Sequence, residues 1–428
     1  MHFSSRSLLA GAAVGLTLSL SLAAQHPRCK TPPRDLLRPA PDNPSDCAYS
    51  STTPAGQYAT ISVYRIPVVF HVIRTTGGNG NISAAQIQNQ VDILNEDFRA
   101  LAGTPGAPGF DTGIEFYLPT TDPQGQPSTG ITYSTNNNWF NDGGSYWNSL
   151  AWDPNRYLNI YTNNGGGALG YVPDLPQGGI VGQKSDRVVV LWSTVGRNAP
   201  YGAPFNQGRT VTHEVGHYLG LWHTFDRGCG LASSCYTTGD VICDTNRESF
   251  PTNGCGNGKS SCGSPDPVNN YMDYSDDRCM WEFTSEQARR MRCTLEFWRP
   301  NLAQQCAIAS ATSRTAGANL QSYSAAPPVV GESFSGSVDT STSGHNMALL
   351  MAAVSSAQTP IGNGYRALVD LSGAVVLGSP ASGPNASFGF AIPLDLSICG
   401  NVLYTQAAHF GGAAGFALSN AQDLTFGR

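Results

Sequence analysis

One eleven-residue stretch, His213–His223, constrains this chain most, because it specifies a helix, a turn and three imidazoles. Its first two histidines are four residues apart, so on a helix both rings point the same way and can bind one metal ion. Gly220 can adopt a positive φ, end the helix and bring His223 in as a third ligand. The pattern H-E-x-x-H-x-x-G-x-x-H therefore predicts a zinc site with His213, His217 and His223 as ligands.

The same stretch predicts hydrolytic chemistry. Three neutral imidazoles leave one tetrahedral position open for water, which is the arrangement of catalytic rather than structural zinc sites. Glu214, next to the first ligand, is placed to take a proton from that water. The alternative is a helix whose histidines are satisfied in the core or at the surface. Three of the chain's eight histidines fall within these eleven residues, which favours the metal site.

Composition and the N-terminus predict a secreted protein. Only 13% of the 428 residues are charged and 48 are glycine, which favours a loop-rich, β-containing protein of more than one domain. A net charge of −6 gives no indication of nucleic acid as a partner. Arg6, the apolar run Leu8–Leu22 and two alanines predict a signal peptide over residues 1–24. No later stretch predicts a transmembrane anchor.

The eleven cysteines predict disulfides formed in an oxidising compartment, with one thiol left over. The Pro-rich residues 25–57 read as a propeptide-like segment that contains Cys29 and Cys47. A free thiolate in this segment would occupy the open zinc position and hold an enzyme latent. The alternative is that these two cysteines pair with each other.

Residues 58–306 have the pattern of one α+β domain. Ser62–Arg74 is predicted to be a buried strand, with His71 as a core histidine. A capping box at Ser83 predicts an amphipathic helix. Further strands are predicted before the helix that carries the histidine motif, at Ile114–Leu118, Tyr157–Thr162 and Arg187–Trp192.

The region after the histidine motif is irregular and offers a second candidate metal site. Asp240, Asp244 and Thr245 are hard oxygen ligands close together in sequence, which suits Ca²⁺. The alternative is ordinary Asx and Thr turns. A second capping box at Thr284 then predicts a helix whose arginines, among them Arg290 and Arg292, are expected to be solvated.

Beyond Cys306 the composition changes. Residues 307–329, rich in Ala, Ser and Gly, are predicted to form a linker. Residues 330–428 contain short apolar pieces separated by turn residues, which predicts a C-terminal all-β domain of the sandwich type.

Several segments together resemble the pappalysin family of metzincin metalloproteases over roughly residues 64–298. The segments that carry the resemblance are His213–Phe225, Gly239–Thr245, Asn270–Tyr274, Asp276–Cys279 and Phe283–Thr284. The resemblance implies a twisted mixed sheet above the active-site helix, with an irregular lower subdomain.

The resemblance also implies roles for individual residues. Met272 would form the Met-turn beneath the zinc, and Tyr274 would lie near the metal, where it could hydrogen-bond a developing oxyanion. By the same analogy calcium would bind around Asp240, Asp244 and Thr245. Disulfides Cys229–Cys262 and Cys255–Cys279 would form, and Cys235–Cys243 and Cys293–Cys306 are plausible additional pairs.

Two further expectations concern latency and specificity. The segment Arg28–Pro32 resembles the family's prosegment cysteine motif, with Lys30 in place of the expected glycine, and makes Cys29 the candidate latency residue. The metzincin resemblance also implies that residues just after the Met-turn line the specificity pocket, where Arg278 would disfavour basic substrate side chains. The alternative is a surface arginine that points to solvent.

The predicted function is therefore a secreted zinc endopeptidase that hydrolyses proteins or peptides, with zinc as the catalytic metal and calcium as a structural one. The alternative is a zinc-binding adhesive or binding protein that keeps a metzincin scaffold without turnover.

Overall fold

The structure, a computed structural model, describes residues 26–38, 46–54, 56–58, 63–306, 309–341, 343–393 and 398–427. The predicted signal peptide lies outside the described residues. The first large sheet spans the N-terminal part of the chain. Its strands are β1 (Val63–Arg74), β2 (Ile114–Tyr117), β3 (Ile131–Thr135), β4 (Leu158–Asn163), β5 (Gly170–Tyr171), β6 (Val188–Leu191) and β7 (Gln304–Cys306).

This sheet is mixed and is organised on β1. Strands β2, β3 and β4 pair with β1 in parallel, β6 pairs with β4 in parallel, and β5 and β7 are antiparallel additions. Apart from Arg65 and Arg74, every residue of β1 is buried, which is expected of a central strand covered on both faces. His71 is buried, with its ring nitrogens 2.8 Å from Thr132 Oγ1 and 2.9 Å from Asn159 Oδ1, as predicted for a core histidine.

Five α-helices accompany the sheet among the described residues: α1 (Ala84–Phe98), α2 (Asn137–Phe140), α3 (Trp147–Leu150), α4 (Arg209–Tyr218) and α5 (Ser285–Cys293). Helix α1 begins where the Ser83 side chain accepts the amide of Gln86, and its apolar face is buried in the main core. Helix α4 ends as predicted, because Gly220 has φ 93° and the chain turns there.

Helix α5 corrects one expectation. Its capping box at Thr284 is present, but the guanidinium groups of Arg290 and Arg292 are not solvated. Both residues are 1% exposed. Arg290 donates to the Gly220 carbonyl at 2.8 Å, and Arg292 lies 4.5 Å from the centre of the Tyr64 ring. Backbone carbonyls and an aromatic face replace the water that these cations would otherwise need.

Disulfides hold the irregular region that follows α4. The pairs Cys229–Cys262 and Cys255–Cys279 form as the resemblance implied, and Cys235–Cys243 is also present. The expected pair of Cys293 with Cys306 was wrong, because Cys293 is bonded to Cys47, 246 residues earlier in the chain. Cys399 is also disulfide-bonded.

The C-terminal part is all-β, as predicted. Its strands are β8 (Ser310–Arg314), β9 (Tyr323–Ala325), β10 (Ser333–Asp339), β11 (Met347–Ala353), β12 (Ser356–Gly362), β13 (Tyr365–Val369), β14 (Val375–Val376), β15 (Ala381–Ser382), β16 (Asn385–Ala391), β17 (Val402–Phe410) and β18 (Ala417–Thr425). One sheet has the order β16-β10-β9 and the other β14-β11-β17-β18-β8. Phe334 and Phe388 from the first sheet and Leu350 and Leu424 from the second share one apolar core, which makes a sandwich.

The segment predicted as a linker is partly built into this sandwich. Strand β8 pairs with β18 from Ser310 to Arg314, and β9 pairs with β10. The small Ala and Ser residues that suggested a flexible spacer are compatible with an edge strand once a neighbouring strand supplies the hydrogen bonds. For these residues the linker prediction was wrong.

Candidate active site

The three predicted metal ligands converge. Nε2 of His217 lies 3.1 Å from Nε2 of His213 and 3.0 Å from Nε2 of His223. His213 and His217 are on the same face of α4, and the turn at Gly220 brings His223 opposite them, as the spacing predicted. His213 and His217 are fully buried, and His223 is 6% exposed.

Hydrogen bonds at the other ring nitrogens fix two of these rings. Nδ1 of His213 donates to the Tyr271 carbonyl at 2.7 Å, and Nδ1 of His217 donates to the Leu221 carbonyl at 2.8 Å. Each Nε2 then carries a lone pair instead of a proton, provided the ring is neutral. Burial favours the neutral form, since it lowers the pKa of His217 to about 4 and that of His213 well below its usual value.

This arrangement fits a metal ion. Two lone pairs about 3 Å apart cannot hydrogen-bond each other, so the buried Nε2 atoms of His213 and His217 need a shared electron-pair acceptor. Nitrogens bound tetrahedrally to zinc at about 2.0–2.1 Å lie about 3.3 Å from one another, close to the observed separations. Among the described residues, Cys29 and the three histidines form a group whose ligand atoms all lie within 4.8 Å of one another.

Glu214 is packed beside this group. It is fully buried, and burial is the main cause that raises its pKa to about 8. Gly170, on the edge strand β5, makes room for it, because a Cβ at this glycine would lie 2.7 Å from Glu214 Cγ. Sequence analysis did not identify Gly170, and no sequence signal marks it.

The turn at Met272 lies under the histidines, as the resemblance implied. Met272 is fully buried, and a Cβ on Gly216 would meet its sulfur at 2.4 Å, so any larger residue on the helix would force the Met272 side chain to shift. The neighbouring Tyr271 supplies the carbonyl that holds His213. The Tyr274 ring lies 5.0 Å from the His223 ring, centre to centre, and burial raises the pKa of its hydroxyl.

Residues 26–38 reach the site through Cys29 and Thr31. The Cys29 thiol lies 3.5 Å from Oε2 of Glu214, and the Thr31 hydroxyl donates to the same oxygen at 3.2 Å. Burial, and then the Glu214 charge, raise the pKa of the Cys29 thiol well above its usual value, so a thiolate here requires a cation beside it. Cys29 is free, so the alternative pairing of Cys29 with Cys47 is wrong.

Backbone contacts carry the prosegment along the edge of the sheet. The Leu169 amide donates to the Pro27 carbonyl at 2.9 Å, and the Lys30 amide donates to the Gly170 carbonyl at 3.0 Å. These two main-chain hydrogen bonds therefore hold the segment beside β5 as it crosses the site.

Arg28, rather than the predicted Arg278, pairs with Asp277 beside the histidines. The guanidinium of Arg28 is buried, 2.9 Å from Oδ1 of Asp277, and lies 4.7 Å from the centre of the Phe205 ring. Arg278 has a side chain that is 75% exposed and pairs with Asp276 at 3.6 Å. Arg278 lines a cavity together with Asp277, so its role in the specificity pocket stays a prediction. Asp277 itself presents a carboxylate to Arg28.

The three residues predicted to bind calcium do not form one cluster. Asp240 and Thr245 are in contact, with 2.7 Å between Oδ2 and the hydroxyl oxygen. Asp244 instead accepts the Glu286 amide at 2.9 Å, where it caps the exposed N-terminus of α5. The Arg34 guanidinium approaches the same region, 3.4 Å from Asp226 and 2.7 Å from the Gly239 carbonyl.

The sequence of this chain matches a known protein family. Residues 145–296 match the Peptidase_M43 family model, described as pregnancy-associated plasma protein-A. An extracellular metalloprotease of Colletotrichum graminicola is 37% identical over 245 residues, which are 54% of this chain and 76% of that protein. Extracellular metalloprotease 1 of Coccidioides posadasii is 34% identical over 57% of this chain and 81% of its own. The chain belongs to the pappalysin family of metzincin metalloproteases.

The chain is also similar to solved structures. A promirolysin mutant of Tannerella forsythia is 34% identical and covers 57% of this chain and 85% of its own, with a TM-score of 0.49. Because its relatives are named metalloproteases, this pappalysin is a metalloendopeptidase, and the predicted enzyme class is confirmed. Within the described part of the chain, no helix combines the length and apolar character needed to cross a membrane.

Proposed function

We propose that this pappalysin is a secreted endopeptidase that uses one zinc ion, held by His213, His217 and His223. The observation that carries the proposal is the convergence of three Nε2 atoms within 3.0–3.1 Å along His213–His217–His223. When bound, zinc supplies a Lewis acid that polarises a peptide carbonyl and makes a water molecule more acidic. Calcium stays a prediction for the Asp240–Thr245 pair and is not proposed for Asp244.

Glu214 acts as the general base in this proposal. Its carboxylate takes a proton from the attacking water and later delivers it to the leaving amine. In the precursor form, burial raises the pKa of this carboxyl to about 8. Cys29 and Thr31 occupy Oε2 in the present form, so this oxygen becomes available once the prosegment leaves.

Tyr274 is the proposed electrophilic partner. Its hydroxyl lies 3.4 Å from the Cys29 carbonyl oxygen, so it already donates to a peptide carbonyl beside the histidines. A substrate carbonyl in a similar place would gain negative charge during attack, and the same hydroxyl would stabilise it.

Latency follows from the same contacts. We propose that the Cys29 thiolate is the fourth zinc ligand in the precursor and excludes water from that position. Thr31 reinforces this by binding Glu214, so the prosegment blocks both the metal and the base. Residues 1–24 are proposed as the signal peptide that directs secretion.

The substrate class is proteins or peptides, with a proposed preference for a basic side chain next to the cleaved bond. Support comes from Arg28, which is adjacent to Cys29 and is held by Asp277. Oδ2 of Asp277 accepts the backbone amides of Gln207 and Arg209, whereas Oδ1 is paired with the Arg28 guanidinium. A basic substrate side chain could take the place of Arg28 at Oδ1, and a neutral side chain would not restore that ion pair.

Metal analysis together with protease assay tests the proposal. The activated enzyme is expected to contain one zinc per chain, and the His217→Ala variant is expected to lose both zinc and cleavage of casein. The His409→Ala variant is the matched control, because this histidine lies in the β-sandwich. Retention of full proteolysis by a zinc-free enzyme would contradict the proposal.

A further inference from the structure

The predicted propeptide consists of two pieces that bind the enzyme differently. Residues 26–38 cover the active site, whereas residues 46–54 pack behind it against α5 and the main core. Tyr49 is 3% exposed and packs edge-to-face on Trp222, with 5.3 Å between ring centres. The Trp222 indole donates to the Tyr49 carbonyl at 3.2 Å. This second piece therefore has the contacts of a folded core element.

Arg290 depends on this second piece. Its guanidinium donates to the Ala48 and Ser51 carbonyls at 2.8 and 2.9 Å, and to the Thr52 hydroxyl at 2.8 Å. Removing residues 46–54 would take away three acceptors of this guanidinium and leave the Gly220 carbonyl as its remaining acceptor among those shown. Because these contacts tie residues 46–54 to the packing of α5, we expect the folded enzyme to keep this piece.

The Cys47–Cys293 disulfide sets a stronger limit. A cut after residue 54 would leave residues 26–54 attached to α5 through this bond. The peptide that carries Cys29 would then stay beside the histidines at a high effective concentration. Such a cut could not release the block. A cut before Cys47 leaves nothing that ties Cys29 covalently to the enzyme.

The accessible place for such a cut lies between two buried anchors. Arg34 is 1% exposed and Cys47 is fully buried, whereas Leu36 and Leu37 are 59% and 92% exposed. Leu37 lies in a short turn whose amide is held by the Asp35 side chain at 2.9 Å. Exposed turns that can open locally are the sites that proteases cut.

We propose that the activating cut falls after Arg34 and before Cys47, at the exposed turn Leu36–Arg38, and that residues 46–58 stay in the mature enzyme. The step is hydrolysis of one peptide bond: water gives its hydroxyl to the new carboxyl group and its remaining proton to the new amine. The inference rests on the proposed latency role of Cys29 for its effect on activity, but not for the position of the cut.

Two engineered precursors test this. One carries the recognition sequence of a site-specific protease inserted after Leu37, and the other carries the same sequence after Gly56. Both are cut and analysed by non-reducing intact-mass measurement and by cleavage of a peptide substrate. A Cys47→Ser/Cys293→Ser double variant of the second precursor is the matched control.

The first precursor is expected to lose its N-terminal fragment and to gain activity. The second should keep its fragment by mass until it is reduced, and should stay inactive, while its double-serine control should release the fragment without reductant. The naturally activated enzyme should begin between Leu36 and Cys47. A natural N-terminus beyond Cys47, or release of the second fragment without reduction, would overturn the inference.

The two proposals fail in different ways. If residues 26–38 do not cause latency, both uncut precursors will be active, yet the masses will still show which fragment is retained. If the inference about the cut is wrong, the masses will show it, whatever the activities are.

Discussion

Residues 26–38 and residues 46–54 are close in sequence, and each carries one cysteine, yet the two segments have opposite fates in this account. Cys29 is a free thiol that faces a metal site, and its contacts are with groups that catalysis must use. Cys47 is locked to α5, and its neighbours satisfy a buried arginine. Both cysteines are buried, so burial does not distinguish a removable inhibitor from a structural element. The two segments are distinguished by the groups that each cysteine contacts, which are catalytic groups for Cys29 and a structural disulfide for Cys47.

The largest expected effect comes from replacing Glu214, which residues 26–38 cover. Glu214→Gln should lower kcat/KM of the activated enzyme by about 10³-fold, because the general base is lost while shape is preserved. Zinc content should be unchanged. Glu332→Gln, an exposed carboxylate in the β-sandwich, is the control and should retain full activity. Normal peptide cleavage by the Glu214 variant would show that Glu214 is not the general base and that covering it does not explain latency.

The next largest effect comes from replacing Cys29 in the segment that covers the active site. Cys29→Ala should make the uncut precursor active, and if the closed form normally outnumbers the open form by about 100 to 1, the rise is about 100-fold. Lys30→Ala, an exposed neighbour, should leave the precursor latent. Assays of uncut protein with a short peptide measure both. A Cys29 variant that stays as latent as the parent would show that the remaining prosegment contacts suffice.

Substrate preference gives a smaller effect. Asp277→Asn should lower kcat/KM by about 30-fold, or about 2 kcal/mol, for a peptide with arginine next to the cleaved bond. The same peptide with leucine should change by less than about threefold. Arg278→Ala is the matched control and should change neither, since its side chain is 75% exposed. Equal losses on both peptides would mean that Asp277 only supports the fold.

The second segment yields a predicted change in stability, with no direct effect on the active site. Arg290→Met should lower the free energy of unfolding of the activated enzyme by about 3 kcal/mol, because three acceptors in residues 48–52 lose their donor. Arg289→Met, on the same helix but only partly buried, should cost less than about 0.5 kcal/mol. Denaturant titration compares them. Equal stabilities would argue that residues 46–54 are dispensable.

The site was predictable where its chemistry is local in sequence. The spacings of four and six residues within His213–His223 encode both the shared helix face and the turn, so sequence was sufficient for the ligand set. Strand β1 and helices α1 and α5 were also predictable, because apolar periodicity and capping residues act over short distances.

What sequence could not supply depends on contacts between distant segments. Cys47 and Cys293 are 246 residues apart, and spacing gives no reason to pair them. As a charged residue on an amphipathic helix, Arg290 was expected to be exposed to solvent. Its burial is explained by the contacts with residues 48–52. Asp244 was grouped with Asp240 by proximity in sequence, yet it turns towards α5. Arg28 carried no signal until its partner Asp277 was placed.

The central claim is that Cys29 and the three histidines share one zinc ion in the precursor, and that activation removes only the sulfur. X-ray absorption at the zinc edge of the uncut and activated forms measures this directly. The account predicts three nitrogen ligands at about 2.0–2.1 Å and one sulfur at about 2.3 Å in the precursor, and no sulfur after activation or in Cys29→Ala. A precursor zinc with no sulfur ligand would contradict it.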